Sequence, residues 1–416
     1  MIRSSLGTLI DARAWRPTAA RILLDDLRQP DGAPPGAIDD ETRINLASRW
    51  LARAQNVTGD GGVAGRYHLA TGWSSSYPET TGYLVPTFLR LESEAGISDG
   101  AERARRATDF LLGVQLPSGA FPGGEIHENR TRPSVFNTGQ ILNGLTAWHR
   151  STGDDRTLSA AMRAADWLVT VQADDGAWYE HVYGGLATTY TAHASCWLVE
   201  FGNHVSGDRY LEAGRRHLHW VLRHRDRETG WFDGAGFNGD EHRNRIASAH
   251  PVAYTLWGAM LSADILGEGE AFQSVRESAL RLAESVLRMK FLPGVLDHQW
   301  GSRSTFQCLT GNAQMALIWM RLNNQAPDSV LVDAARCVLD HVRASQVTER
   351  HPDVNGALAG SRPVWGDYIR LAYPNWAVKF FVDALLDWKA LREAERAKAN
   401  PSIHKTPDSP RTERAP

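Results

Sequence analysis

The chain carries one glutamate in a position suited to acid catalysis. Glu79 follows Pro78, whose ring stiffens the approach, and it stands in the first turn of a predicted helix. Such an acid can protonate a glycosidic oxygen when a second carboxylate lies across the cleft, about 5 Å away for retention or roughly 6.5 to 9.5 Å away for inversion. The residues that could supply this second carboxylate are Asp297, Asp367, Glu125, Glu180 and Asp233.

A different chemistry would use a base instead of an acid. β-Elimination from a uronic acid, or its C5 epimerisation, begins when a proton next to the carboxylate is removed, and His193, His250 or Tyr254 could remove it. The developing negative charge then needs neutralising groups, for which Arg132, Asn137, Gln140 and Arg303 are candidates. A third possibility is that the same residues only bind a ligand, without turnover.

Aromatic, amide and cationic side chains also gather where several predicted helices begin. Aromatic rings can stack on the apolar face of a sugar, and amide or guanidinium groups can bond to its hydroxyl and carboxylate groups. For any one residue, the alternative interpretation is helix capping or core packing. We expect the substrate-binding residues to be Trp73, Tyr77, Tyr83, Arg132, Asn137, Gln140, Tyr190, Trp300, Arg303, Gln307, Trp365 and Tyr373.

A long internal repeat brings these residues to one place. Runs that start with Trp or Phe and end in Gln recur with identical spacing at 50–55, 110–115 and 167–172, and weaker copies begin near Trp220, Val286 and Val338. The steps of roughly 50 to 65 residues are typical of arrays of helical hairpins. A two-helix unit cannot bury its apolar faces alone, whereas a closed ring of six units can. The predicted fold is therefore all-α, an (α/α)6 barrel or toroid of six helical hairpins.

The predicted inner helices are the apolar segments that follow the long loops of the repeat. Their periodicity is helical over 80–91, 136–148, 191–201, 250–265, 309–322 and 375–388. The loops that precede them run to roughly 20 residues, and long loops rich in Trp, Tyr, His and Arg usually form the functional face of a protein. Helix N-termini carry partial positive charge, so six of them converging on a cavity should favour an anionic ligand.

The composition excludes several classes of protein. The formal net charge of the 416 residues is −3, without a basic cluster, so no nucleic-acid partner is expected. No apolar run has the length of a membrane span, and residues 1–24 lack a signal-peptide core, so we expect a cytoplasmic protein. The 3 cysteines form no CxxC pair and there is no HExxH motif, so neither a metal nor a cofactor is expected. We expect an N-terminal helical extension at 1–40, one barrel at 41–392 and a disordered polar tail at 393–416.

The repeat also resembles a known superfamily. The Trp/Phe-Leu-x-x-x-Gln run, followed by Asp-Gly-Ala-Trp at 175–178 or Ser-Gly-Ala-Phe at 118–121, is similar to the motif of the (α/α)6 toroids. These include squalene and terpene cyclases, protein prenyltransferase β subunits and many carbohydrate-active enzymes. The Asp-x-Asp-Asp motif of the cyclases is absent, because 152–155 falls in a short turn on the opposite face. The zinc-binding set of the prenyltransferases is missing around Cys308.

The segment at 72–83 resembles one in toroid proteins associated with surface-polysaccharide pathways. Together with the acid and aromatic residues, this favours a glycoside hydrolase that acts on an anionic poly- or oligosaccharide in the barrel cavity. The alternatives are a polysaccharide lyase or uronate C5-epimerase, and a non-catalytic glycan-binding or polysaccharide-biosynthesis accessory protein. A terpene cyclase-like activity is disfavoured by the missing motif.

Overall fold

A computed structural model describes residues 17–28, 38–126, 132–348 and 352–399. The other residues of the expected N-terminal extension, and residues 400–416 of the expected tail, lie outside this part of the chain. The helices are, in chain order, α1 (Pro17–Arg28), α2 (Asp40–Asn56), α3 (Pro78–Ala95), α4 (Gly100–Val114), α5 (Val135–Thr152), α6 (Asp155–Thr170), α7 (Ala192–Val205), α8 (Asp208–Arg223), α9 (Gly239–Asn244), α10 (Ala249–Leu266), α11 (Gly269–Met289), α12 (Leu309–Gln325), α13 (Ser329–Ser345) and α14 (Asn375–Ala399).

Helices α3, α5, α7, α10, α12 and α14 form a closed inner ring. Each packs against the next in this order, and α14 packs back against α3. These are the six segments whose apolar residues recur all round the helix, as a helix surrounded by neighbours requires. In α10, for example, nearly every residue from Ala249 to Ala263 is buried. The expected (α/α)6 barrel is confirmed.

The outer layer consists of α2, α4, α6, α8, α11 and α13. These helices bury one stripe each: α8 buries Tyr210, Ala213, His217 and Val221, at the i, i+3, i+4 spacing of an amphipathic helix. Five outer helices follow their inner partners directly along the chain. The sixth hairpin is different, because α14 packs against α2 from the other end of the sequence.

A hydrogen-bonding geometry that recurs within the chain explains the glutamines of the repeat. Gln115 ends an outer helix, and its side-chain Nε2 donates to the carbonyl of Gly119 at 2.9 Å and to the carbonyl of Ala160 in the next outer helix at 2.8 Å. Gly119 has φ of +92°, and a Cβ there would lie 2.5 Å from the carbonyl oxygen of Arg163. Only glycine fits this position, and the glutamine joins this repeat to the next one.

The same joint occurs at other repeats and closes the ring. Gln55 and Gln172 each donate to a carbonyl in their own loop and to one in the following outer helix. Gln346 donates to the carbonyl of Arg43 in α2 at 3.0 Å, which links the last repeat to the first across 303 residues of sequence. The glutamine spacing is thus a structural signal rather than a catalytic one.

Short strands join neighbouring loops at the end of the barrel where the inner helices begin. They are β1 (Arg66–His68), β2 (Gly72–Trp73), β3 (Ile246–Ser248), β4 (Val295–Asp297), β5 (Gln307–Cys308), β6 (Ser361–Arg362) and β7 (Ala372–Pro374). The antiparallel pairs β3–β4 and β5–β6 connect successive loops, and β1 pairs with both β2 and β7. The first and last long loops are therefore hydrogen-bonded to each other, which closes the loop face as the helices close the ring.

The ends of the described chain add two details. Ile22 of α1 is buried in the hydrophobic core. Helix α14 continues to Ala399, past the residue 393 at which we expected the tail to begin. Among the described residues, no helix combines the length and the apolar character needed to cross a membrane.

Candidate active site

Glu79 lies buried at the start of α3. Tyr77 is the N-cap residue and Pro78 begins the helix, so the chain enters α3 with a fixed direction. The Tyr77 hydroxyl donates to Oε2 of Glu79 at 2.5 Å. Burial raises the pKa of Glu79 from 4.5 to about 7, and the Tyr77 hydrogen bond offsets part of that effect. Near neutral pH a substantial fraction of Glu79 is therefore protonated.

Tyr77 connects Glu79 to two residues of the second repeat. Its pKa is raised well above the ordinary value, first by burial and then by the charge of Glu79, with a smaller contribution from Glu125, whereas a hydrogen bond with Asn137 lowers it. Oε1 of Glu125 accepts from Nη1 of Arg66 at 2.6 Å. Glu125 is thus a second carboxylate within electrostatic reach of the Tyr77–Glu79 pair.

Aromatic rings from three inner helices and their loops form a continuous cluster. The His193 ring lies 4.3 Å from the Tyr254 ring, and the Tyr254 ring lies 4.2 Å from that of His250 and 5.0 Å from that of Phe136. The Phe136 ring is in turn 5.5 Å from that of Tyr190. Helices α5, α7 and α10 therefore present their first turns to one shared space, as the sequence predicted for their N-terminal ends.

Tyr254 lies across the ring from Glu79 and interacts with it. Burial raises the pKa of Tyr254 well above its ordinary value, the charges of Glu79 and Tyr368 raise it further, and a hydrogen bond with Tyr83 lowers it. Tyr83 is one helical turn below Glu79 in α3, and α3 and α10 occupy opposite positions in the inner ring. The contact between Tyr83 and Tyr254 spans the barrel below Glu79.

The two histidines of the cluster are uncharged at neutral pH. Burial lowers the pKa of His250 to about 4, and its Nδ1 lies 2.8 Å from Oε1 of Gln314. Nδ1 is the donor in that contact, which leaves Nε2 with a lone pair. Burial, Lys379 and His250 together hold the pKa of His193 well below its ordinary value. Neither ring nitrogen of His193 has a hydrogen-bond partner among the described residues.

Ion pairs lie in the layer of the barrel below the Tyr83–Tyr254 contact. Nζ of Lys379 lies 2.8 Å from Oδ2 of Asp383 and 4.1 Å from the centre of the Phe380 ring. Arg90 of α3 reaches both Asp383 and Asp387 of α14, at 3.5 Å and 2.6 Å. Lys379 and Asp383 of this layer are buried, whereas Arg90 and Asp387 are partly exposed at the end of the barrel away from the loops.

The structure brings together half of the residues that we expected at the site. Gln140 is fully buried, and it donates from Nε2 to the carbonyl of His193 at 3.3 Å and accepts from Nε1 of Trp197 at 3.1 Å, so it holds α7 in place. The expected residues that belong to the cluster through hydrogen bonds, ring contacts or electrostatic coupling are Tyr77, Glu79, Tyr83, Asn137, Gln140, Tyr190, His193, His250 and Tyr254.

The other expected residues lie in the loops that precede the inner helices. The Asp297 carboxylate accepts from the backbone N–H groups of Gln299 and Gly301 and pairs with Nε of Arg303 at 2.8 Å, so it stabilises a turn. Trp300 is buried against Trp231, with ring centroids 5.2 Å apart.

Trp73 packs on Trp50 and Tyr67. Gln307 stands in β5 and Tyr373 in β7, Trp365 is half-buried, and both Asp367 and Arg132 are exposed. These positions put the residues on the loop face, at a level above the inner-helix cluster.

Several residues of the cluster were not expected from the sequence. Tyr368 accepts from Nε1 of Trp376 at 2.9 Å, and its ring lies 5.3 Å from that of His250. It comes from the longest loop, seven residues before α14 begins, and no spacing signal marks it. Lys379 carried a signal that we did not use, because it is the one charge in the apolar run at 376–382. Among the described residues, no group of three or more His, Cys, Asp or Glu side chains is arranged to hold a metal ion.

Comparison with known proteins gives the fold independently. No family model matches the chain. A copalyl diphosphate synthase from Streptomyces cyslabdanicus is 30% identical over 178 residues, which are 41% of this chain and 29% of the synthase. The match therefore spans less than a third of that relative.

Among solved structures, an unsaturated glucuronyl hydrolase specific for heparin superposes with a TM-score of 0.67 at 15% identity, over 85% of this chain and 98% of that one. Cellobiose 2-epimerase from Bacillus thermoamylovorans B4167 gives 0.66 at 12% identity, over 84% and 99%. The unsaturated glucuronyl hydrolase of Bacillus sp. GL1 gives 0.64 at 15% identity, over 84% and 97%. At these identities the likeness is one of fold, the (α/α)6 toroid.

Proposed function

We propose that this protein is a carbohydrate-active enzyme of the glycoside hydrolase type, with Glu79 as the general acid. The observation that carries the proposal is the pKa of about 7 that burial gives to Glu79. A carboxylic acid that keeps its proton near neutral pH can transfer it to the oxygen of a glycosidic bond as that bond breaks. The aromatic walls contributed by Phe136, Tyr190 and Tyr254 suit the apolar faces of a sugar.

Glu125 is the partner that we assign to Glu79. It stands on the loop before α5, its charge acts on Tyr77, and Arg66 fixes one of its oxygens. In this mechanism the C1–O bond of the substrate breaks as Glu79 donates its proton to the leaving oxygen. A water molecule attacks C1 and gives a proton to the Glu125 carboxylate, as in inverting hydrolysis.

An anionic substrate is the finer part of the proposal. The first turns of the inner helices converge on the cavity with their partial positive charge, and Arg132 stands exposed on the rim. The two glucuronyl hydrolases with similar folds support a sugar that carries a carboxylate. We therefore place a uronic acid residue of a poly- or oligosaccharide next to Glu79.

A second candidate function is lyase or C5-epimerase activity on the same class of substrate. His250 favours it, because this residue is neutral at pH 7 and its Nε2 lone pair is free of the Gln314 contact. Such a base could remove the proton next to a uronate carboxylate. Elimination creates a C4–C5 double bond that absorbs in the ultraviolet, which hydrolysis of a saturated glycan does not.

The test uses purified protein and size-fractionated oligosaccharides from hyaluronan, alginate and heparin. We expect release of reducing ends by the wild type and its loss by at least 100-fold in Glu79→Gln, with binding of the oligosaccharide retained. Glu284→Gln, an exposed position on α11, is the matched control and should keep full activity. Full activity of Glu79→Gln would refute the assignment of Glu79 as the acid. An ultraviolet-absorbing product would support lyase activity instead of hydrolysis.

A further inference from the structure

An exposed tyrosine stands at the outer end of the aromatic cluster. Tyr183 begins a short turn of 3-10 helix at Tyr183–Gly185, in the loop before α7. Its side chain is 70% exposed, which is the largest value among the exposed large hydrophobic residues of the described chain. Its hydroxyl has no hydrogen-bond partner among the described residues. A ring held out in this way has one face available to a ligand.

The backbone around Tyr183 is fixed on both sides. The carbonyl of His181 accepts from the N–H of Val135 at the start of α5, at 2.9 Å, and the N–H of Thr189 donates to the carbonyl of Gly234 at 3.1 Å. Gly184 and Gly185 have φ of +64° and +67°, which lets the chain turn tightly after the tyrosine. The loop is thus tied to the second and fourth repeats, and the position of Tyr183 is set by the barrel.

Tyr183 is continuous with the Glu79 cluster through two rings. Its ring lies 6.3 Å from that of half-buried Phe237, edge to face, and the Phe237 ring lies 5.4 Å from that of Tyr190. Tyr190 is coupled to both ends of this series, because the charges of Glu79 and of Tyr183 each contribute to raising its pKa, after burial. A series of ring contacts therefore runs from exposed Tyr183 through Phe237 and Tyr190 to Phe136 and Tyr254.

We propose that Tyr183, backed by Phe237, is a distal sugar-binding subsite that holds a pyranose ring of the substrate outside the one at Glu79. The subsite rests on the proposed function and specifies it further, because it makes an oligosaccharide longer than a disaccharide the preferred substrate. Because the Glu79 cluster lies at the ends of the inner helices nearest the loops, additional sugar residues of the substrate would extend over the loop face. An aromatic ring on that path stacks on the apolar face of a sugar.

The experiment compares Tyr183→Ala with Tyr179→Ala on the same loop. Tyr179 is also exposed, at 52%, but its hydroxyl donates to Asp175 at 2.7 Å, away from the ring series, so it is a matched control. The substrates are di-, tetra- and hexasaccharides from hyaluronan, alginate and heparin. For Tyr183→Ala we expect KM to rise roughly fivefold to tenfold on tetra- and hexasaccharides, with kcat and the disaccharide KM unchanged. Tyr179→Ala should behave as the wild type.

The outcomes separate this inference from the function on which it rests. If oligosaccharides are turned over but Tyr183→Ala matches the wild type at every length, the subsite is refuted and the hydrolase proposal stands. If the wild type binds longer oligosaccharides more tightly without turnover, and Tyr183→Ala removes that preference, the subsite stands and the hydrolase proposal falls. If no oligosaccharide is bound or turned over, both fall.

Discussion

Glu79→Gln should change the way in which the stability of the protein depends on pH. Native Glu79 has a pKa of about 7, against 4.5 for an ordinary glutamate. Between these values the native state keeps a proton that the unfolded chain has released, so the free energy of unfolding falls as the pH rises through this window. At about 1.36 kcal/mol for each pKa unit, the full effect is about 3 kcal/mol.

The glutamine variant does not titrate at this position. The stability of the variant minus that of the wild type should be about 3 kcal/mol higher at pH 8 than at pH 4.5, because only the wild type must bury a charge at the higher pH. The amide oxygen that the substitution introduces can still accept a hydrogen bond from the Tyr77 hydroxyl. Other groups titrate in both proteins, so their contributions cancel in the difference.

Urea unfolding followed by tryptophan fluorescence measures this difference at both pH values. Glu284→Gln serves as the control, since this exposed side chain lies on the outer helix α11. Its stability relative to the wild type should be the same at pH 4.5 and pH 8. Parallel pH profiles for Glu79→Gln and the wild type would show that Glu79 is not buried as a neutral acid, and the catalytic role assigned to it would lose its physical basis.

Two further predictions concern the same acid and the repeat. Tyr77→Phe removes the hydrogen bond that lowers the pKa of Glu79, so a carbon-13 NMR titration should show the pKa of this carboxyl rising by roughly one unit, whereas Tyr179→Phe should leave it unchanged. Gly119→Ala should cost more than about 2 kcal/mol of unfolding free energy, because its Cβ would meet the Arg163 carbonyl at positive φ. Gly113→Ala, in helix α4 with no atom within 4 Å of the added Cβ, should instead stabilise the protein by roughly 0.5 to 1 kcal/mol in the same denaturation assay.

The fold could be predicted from the sequence because its signals are local and repeated. An apolar run with helical period marks each unit, a glutamine at fixed spacing marks the first three, and six units imply a ring. The position of Glu79 in the first turn of an inner helix, directly after a proline, followed from the same reasoning. Its neighbours Asn137, His193 and His250 stand in the first turns of later inner helices, whereas Tyr254 lies one turn further on and Tyr190 stands just before its helix.

The loops could not be predicted in this way, because their contacts join residues that are distant in sequence. Asp297 and Trp300 were expected to face the substrate. The Asp297 carboxylate instead pairs with Arg303 within its own turn. The Trp300 indole donates to the carbonyl of Thr229, 71 residues earlier. Tyr368 reaches the cluster from a long loop whose path no periodicity describes. The cluster around Glu79 was thus predictable where inner helices build it, and not where loops contribute to it.

The pairing of α14 with α2 has a consequence for how this protein is made. Helix α2, the outer wall of the sixth hairpin, leaves the ribosome before the other helices of the barrel, and α14, which packs against it, leaves after them. Until then the side of α2 that packs against α14 lacks this partner. Once the ring is closed, it has no terminal repeat from which unfolding can spread. Unfolding of any one repeat must instead break its interfaces with both neighbouring repeats at once.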